Sequence, residues 1–192
     1  SRLGLDDDTG LAVYQGNISR DRGIEQMIQA IAAVDRAALI VLGDGPLLDP
    51  LRQEVANQML TDKVYLLGRV PLDELASYTS SADIGIHVIQ NTCYNHYYCL
   101  PNKLFEYIQA GLPVVVSDFP EMARIVRQYE VGELVDPSDP EEIAAAIKGI
   151  LDDEGYRKRL RENAFEAAKH LNWEQESKRL LEIYDELERC QT

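Results

Sequence analysis

Lys103 and Glu106 stand three residues apart in the stretch CYNHYYCLPNKLFEYIQAGLPVVVS, residues 93–117, just after Pro101. Proline suits the first position of a helix, because its missing N–H has no partner there anyway. A helix from about Pro101 to Ala110, ended by Gly111, puts Asn102 and Lys103 in the first turn, where N–H groups and a cation can meet an anion. Glu106 lies one turn on and shares a face with Asn102 at i+4 and with Lys103 at i+3. A carboxylate below an anion-binding helix start can accept hydrogen bonds from the paired hydroxyls of a ribose. The same spacing suits a plain surface ion pair of Lys103 with Glu106, which is worth little. Leu104 and Ile108 share another face and are expected to reach the core.

A second stretch, GNISRDRG from Gly16 to Gly23, runs from a strand into a helix. Gly16 lets a ligand approach the backbone, the helix start offers free N–H groups, and Arg20 and Arg22 add charge for a diphosphate. The pattern is neither the dinucleotide fingerprint GxGxxG nor the P-loop GxxxxGK[ST]. The alternative is a solvated turn with two surface arginines. His87 and His96 lack partners at catalytic spacing, so no Ser-His-Asp or Cys-His arrangement is proposed. Tyr94, Tyr97 and Tyr98 either line a sugar or base pocket or cover the sheet edge.

These residues need elements to position them, and short apolar runs alternate with helix-period segments along the chain. LAVYQG, AALIVLG, KVYLLG, DIGIHVI, PVVVS and GELVDP read as strands. The segments DRGIEQMIQAIAAV, PLLDPLRQEVANQML, PLDELASYTSSA, the Pro101–Ala110 stretch and FPEMARIVRQY read as helices. Continuous rather than alternating hydrophobicity means that the strands are buried on both faces. The expectation is an α/β fold, a doubly wound, Rossmann-like parallel sheet of about six strands with right-handed crossovers. After Pro140 the chain is helix only, with extra helices over about 155–190. The last carries Trp173, Leu180, Leu181, Tyr184 and Leu187, and either docks on its own sheet or reaches for a neighbour.

The chain has 192 residues, enough for one generous domain. The net charge is −14, from 19 Lys and Arg against 33 Asp and Glu, so nucleic acid and anionic membranes are poor partners. Any anionic ligand needs a local positive pocket. Cys93, Cys99 and Cys190 have no CxxC spacing and no matching His cluster, which signals neither a zinc site nor a disulfide framework. Free thiols in a reducing cytoplasm are expected. No apolar run approaches the ~20 residues of a membrane helix. The start SRLGLDDDTG lacks an initiator Met, so residues 1–10 are read as a linker or fragment start and residues 11–192 as a single domain.

Together these segments resemble the carboxy-terminal domain of the group 1 glycosyltransferases, enzymes of the two-domain GT-B architecture. AVYQGNISRDRGIEQMIQAI looks like that family's opening strand, glycine loop and helix start. LIVLGDGP and VYLLGRVPLDELASYTSSADIGIHV look like its following units. LPNKLFEYIQAGLPVVVSDFPEMARIV resembles its most recognisable helix–strand unit, and VGELVDPSDPEEIAAAI with the Trp173 region its closing part.

The resemblance implies the nucleotide-sugar-binding half of a transferase. It implies Gly16, Asn17 and Arg22 in the diphosphate loop, Asn102 and Lys103 at the helix start near the phosphates, and Glu106 on the ribose hydroxyls. Gly68, Arg69 and Val70 would lie near the nucleobase. The sequence departs from the family twice. Many members have an arginine where Asn17 stands, and many have a glutamate near the transferred sugar where Tyr98 stands, which makes Tyr98 a candidate sugar contact. The implied reaction moves a glycosyl unit from a nucleoside diphosphate sugar to an acceptor hydroxyl, with retained configuration. It would need no metal and no cofactor, since helix starts, Arg22 and Lys103 could stabilise the leaving diphosphate. The implied partners are the nucleotide sugar and the protein's own amino-terminal acceptor domain, through which alone any peripheral membrane contact would run. The alternatives are a sugar-nucleotide epimerase of the same architecture and a non-catalytic nucleotide-sugar-binding module.

Overall fold

The computed structural model describes residues 4–6 and 8–189. All six apolar runs form strands: β1 (Gly10–Gln15), β2 (Ala37–Leu42), β3 (Val64–Gly68), β4 (Ile84–His87), β5 (Val114–Ser117) and β6 (Gly132–Val135). They make one parallel sheet in the order β3-β2-β1-β4-β5-β6. Every residue of β2, β4 and β5 is buried, as expected for strands covered by helices on both faces. Strand β1 takes in Gly10, one residue more than its apolar run suggests.

The helices divide between the two faces. α1 (Ile24–Ala32), α2 (Leu48–Asn57) and α7 (Pro140–Asp152) bury Ile24, Met27, Ile31, Leu51, Ile143 and Ile147 in one core layer. α5 (Asn102–Gln109), α6 (Pro120–Tyr129) and α8 (Glu154–Ala168) bury Leu104, Ile108, Met122, Val126 and Ala164 in the other. α3 (Leu72–Ser80) joins the second layer through the partly buried Leu75 and Tyr78. Burying a side chain such as Leu104 contributes about 1.5–3 kcal/mol, so the apolar stripe of α5 fixes which way its polar face points.

The all-helical tail is built as its sequence suggests. Asp139 caps α7 by accepting from Glu141 N at 2.9 Å and Glu142 N at 3.2 Å, and Pro140 occupies the first turn. α9 (Trp173–Arg189) differs, because none of its residues is buried. Two features escaped the sequence pattern. A four-residue helix, α4 (Tyr94–Tyr97), sits in the loop after β4, and α1 begins at Ile24, so Arg20 and Arg22 precede it. No helix of the described residues is long and apolar enough to cross a membrane. Cys190 lies outside the described residues; Cys93 and Cys99 are free.

Candidate functional site

Strand order reverses direction between β1 and β4. The chain runs from β1 outward to β3, then crosses back to β4 and continues to β6. Loops leaving the carboxyl ends of β1 and β4 therefore part to opposite faces, and such a crevice is where open α/β sheets bind ligands. Gly23 closes the crevice from one side. Its φ of 74° is left-handed, and a Cβ there would fall on the carbonyl oxygen of Val88, directly after β4.

At the mouth of this crevice lies a cavity of about 480 Å³. Gly16, Asn17, Arg69, Val70, Asn102, Lys103 and Glu106 line it, seven of the residues singled out from sequence, together with Gln15, Gly43, Asp44, Leu72 and Leu75. The first helical residue of α5 is Asn102, with Pro101 as its extended N-cap, one position later than the proline rule suggests. No side chain caps this helix start, so its N–H groups face outward.

Lys103 reaches across the crevice toward β1. Its ammonium sits 5.8 Å from the centre of the Tyr14 ring, and a Cβ on Gly16 would fall on the Lys103 Cε. Gly16, at φ 139°, has a backbone that L side chains rarely adopt, and the Lys103 side chain fills the space beside it. Burial and the nearby Arg22 charge together lower the Lys103 pKa. The ion pair with Glu106 that the spacing allowed does not form: among the described residues neither Lys103 nor Arg22 joins any ion pair.

Glu106 has another partner. Its carboxylate accepts a short hydrogen bond from the side-chain amide of Gln15, whose oxygen accepts from the Thr79 hydroxyl at 2.6 Å. The Tyr107 hydroxyl accepts from Gln15 N at 3.2 Å and donates to Ile86 O at 3.4 Å. α5 is therefore riveted to β1 and β4, with Glu106 held at the cavity wall. Gln15 and Thr79 are both buried polar residues, and each is satisfied by these bonds.

Three sequence-nominated residues lie off the cavity wall. Gly68 accepts from Gly43 N at 2.8 Å and so braces a lining residue from behind. Arg22 stands at the crevice, where its charge acts on Tyr14, His87, Cys99 and Lys103; its Nε is buried without a partner. Tyr98 faces elsewhere: its ring stands edge-on to Tyr97 at 4.9 Å and stacks with Tyr94 at 6.4 Å. That aromatic packing, continued from Tyr97 to Phe119 at 5.2 Å, turns Tyr98 from the cavity. Asn17 donates to the Ser19 hydroxyl at 3.2 Å, and its carbonyl accepts from the Tyr14 hydroxyl at 2.9 Å.

The sequence reading missed Gln15, Asp44 and Thr79 as site residues. The turn Gly43-Asp44-Gly45-Pro46 was visible, and its place at the carboxyl end of β2 could have nominated it. Beyond Glu106 the cavity runs into a wider apolar groove of about 990 Å³, walled by Leu72, Leu75, Phe105, Leu171 and Trp173.

Comparison with known proteins agrees with this architecture. An uncharacterized glycosyltransferase of Methanocaldococcus jannaschii is 27% identical over 186 residues, covering 95% of this chain and 46% of that protein. An alpha-D-kanosaminyltransferase of Streptomyces kanamyceticus is 28% identical over 167 residues, covering 85% of this chain and 42% of that protein. Sucrose-phosphate synthase of Thermosynechococcus elongatus superposes with a TM-score of 0.84 at 27% identity, over 98% of this chain and 48% of its own. The fold alone is shared with HepE of Anabaena, solved in complex with UDP, at a TM-score of 0.82 and 18% identity, over 93% of this chain and 49% of its own. The chain thus spans about half the length of the curated relatives it matches. With the family model for glycosyl transferases group 1 matching residues 1–167, on a sheet whose structural neighbours are of the GT-B architecture, this chain belongs to the group 1 glycosyltransferases.

Proposed function

We propose that this domain binds a nucleoside diphosphate sugar and presents it for transfer of the glycosyl unit to an acceptor hydroxyl held by a second, amino-terminal domain. The diphosphate lies against the open start of α5, Lys103 and Arg22, with Gly16 and Asn17 keeping the β1 loop close to it. The ribose hydroxyls donate to Glu106, and the base rests by Arg69 and Val70, which Gly68 supports from behind through Gly43. The single observation that carries the reading is the contrast between two neighbours on α5. Among the described residues Lys103 is drawn into the crevice without a carboxylate partner, and Glu106 is held at the same cavity by Gln15. In a chain of net charge −14, two cations left without acidic partners at a strand-end crevice suit an anionic ligand.

In transfer, negative charge grows on the leaving diphosphate as the bond from its terminal oxygen to the anomeric carbon breaks. Lys103, Arg22 and the N–H groups of α5 are placed to stabilise that charge. The reaction in this reading retains anomeric configuration and needs no metal. Calorimetric titration of the intact protein with UDP, in magnesium and in EDTA, tests it. Equal affinity in both supports metal-independent binding, and affinity that collapses in EDTA overturns it.

A further inference from the structure

His87 ends β4 at the floor of the crevice and is only 1% exposed. Among the described residues both of its ring nitrogens lack a hydrogen-bond partner. A buried polar group without partners is costly and rare in folded proteins, so this imidazole calls for an explanation. Its ring stacks on Tyr14, with centroids 6.3 Å apart and planes at 18°. Tyr14 is the same ring over which the Lys103 ammonium sits at 5.8 Å. One aromatic ring thus contacts both His87 and the cation nominated for the phosphates. Arg22, also with a buried unpartnered nitrogen, faces the group from the β1 loop.

We infer that His87 is a proton-coupled member of the anion site, taking up one proton from solvent as a diphosphate settles beside Lys103 and Arg22. The inference rests on the nucleotide-sugar reading above.

The charged and titratable groups that face His87 are Arg22 from the β1 loop, His96 from α4 and Lys103 from α5, and Tyr14 of β1 supplies an uncharged phenol. Burial first, then Lys103, Arg22 and His96, hold the imidazole neutral, with its pKa lowered to about 3. A ligand with two negative charges reverses the sign of that local field. That reversal raises the His87 pKa from its depressed value toward the ordinary imidazole range in the complex. The imidazolium gains a facing negative charge that the free imidazole lacks.

Calorimetry with UDP-glucose, whose diphosphate keeps a constant charge between pH 5 and 8, tests the inference on the intact protein. Wild-type protein should bind several-fold more tightly at pH 5 than at pH 7 and take up a fraction of a proton on binding near pH 6. In the His87→Gln variant the affinity should no longer depend on pH over this range, whereas His96→Gln should keep the tightening. The titration of the His87 ring proton by NMR, with and without UDP-glucose, reads the same shift without any substitution. Binding whose affinity and proton count do not change between pH 5 and 7 overturns the inference alone, as does tightening that survives His87→Gln or vanishes in His96→Gln. Failure of the glucose conjugates of uridine, adenosine, guanosine and thymidine diphosphate to bind at any pH overturns the nucleotide-sugar reading itself and this inference with it.

Discussion

The Glu106 carboxylate is held by the side-chain amide of Gln15, a bond that joins the middle of α5 to the end of β1 across 91 residues of sequence. Gln15 in turn accepts from Thr79 near the end of α3. Three elements from three parts of the chain thus fix the position of one acidic group. Such an anchored carboxylate keeps free acceptor capacity for two hydroxyls, because an ionised carboxylate has about four lone-pair sites.

The first prediction concerns that capacity. A hydrogen bond to a charged group contributes about 1.5–3 kcal/mol, so Glu106→Ala, which removes the acceptor of two, should weaken UDP binding at least roughly 10- to 100-fold. Wild-type protein should also prefer UDP over its 2′-deoxy counterpart, and the variant should lose that preference. Comparing the two nucleotides by calorimetry on both proteins checks this. Unchanged discrimination in Glu106→Ala removes the carboxylate from the ribose.

A second prediction separates binding from folding. Lys103 is drawn into the crevice with its charge unpaired among the described residues and its pKa lowered by burial and by Arg22. Replacing it by the similarly shaped Met removes a desolvated cation, so Lys103→Met should weaken UDP at least tenfold while raising Tm by about 2–4 °C. Thermal unfolding and titration of one sample read both changes. A variant that loses stability and affinity together marks Lys103 as a structural residue.

The strands and the two-faced character of α5 could be read in the sequence because they are local patterns. AALIVL is apolar throughout and is buried throughout, and Leu104 and Ile108 reach the core while Lys103 and Glu106 line the cavity. What could not be read depends on pairing at long range. Gln15 and Thr79 sit inside apolar or helical runs, and only the topology that brings β1 beside α3 and α5 gives them partners. His87 reads as one more strand residue until its burial and missing partners are seen. Tyr98 occupies a promising position by likeness to the family, yet ring packing with Tyr94 and Tyr97, within a short helix too brief to show periodicity, turns it aside.

The third prediction follows from the buried imidazole without ligand. His87 has a folded-state pKa of about 3, below the unfolded value of about 6.5. At neutral pH both states are uncharged there. As pH falls below 6.5 the unfolded chain binds a proton that the folded one refuses, so stability is lost down to about pH 3 at roughly 1.4 kcal/mol per pH unit. Urea unfolding at pH 6.5 and 4.5 should therefore show an acid loss about 2–3 kcal/mol smaller in His87→Leu than in wild type. Identical losses in the two proteins would mean that His87 accepts its proton in the folded state.

The fourth prediction concerns α9. The helix has 17 residues, none buried, and Trp173 and Leu181 are 70% and 63% exposed. Isolated helices of this length are marginal in water, so its apolar residues Leu180, Leu181, Tyr184 and Leu187 need a surface that the sheet of this domain does not offer. The acceptor domain proposed above is the surface expected to cover them. Leu181→Asp combined with Tyr184→Asp should then leave the Tm of the 192-residue chain within about 2 °C, since no buried apolar area is lost. In a chain that carries the proposed acceptor domain the same pair should lower Tm by about 4 °C or more, because charges would enter a packed interface. Differential scanning calorimetry of both lengths decides it. A drop confined to the 192-residue chain would show that α9 folds back on its own domain, and equal insensitivity in both lengths would show that the helix stays in solvent.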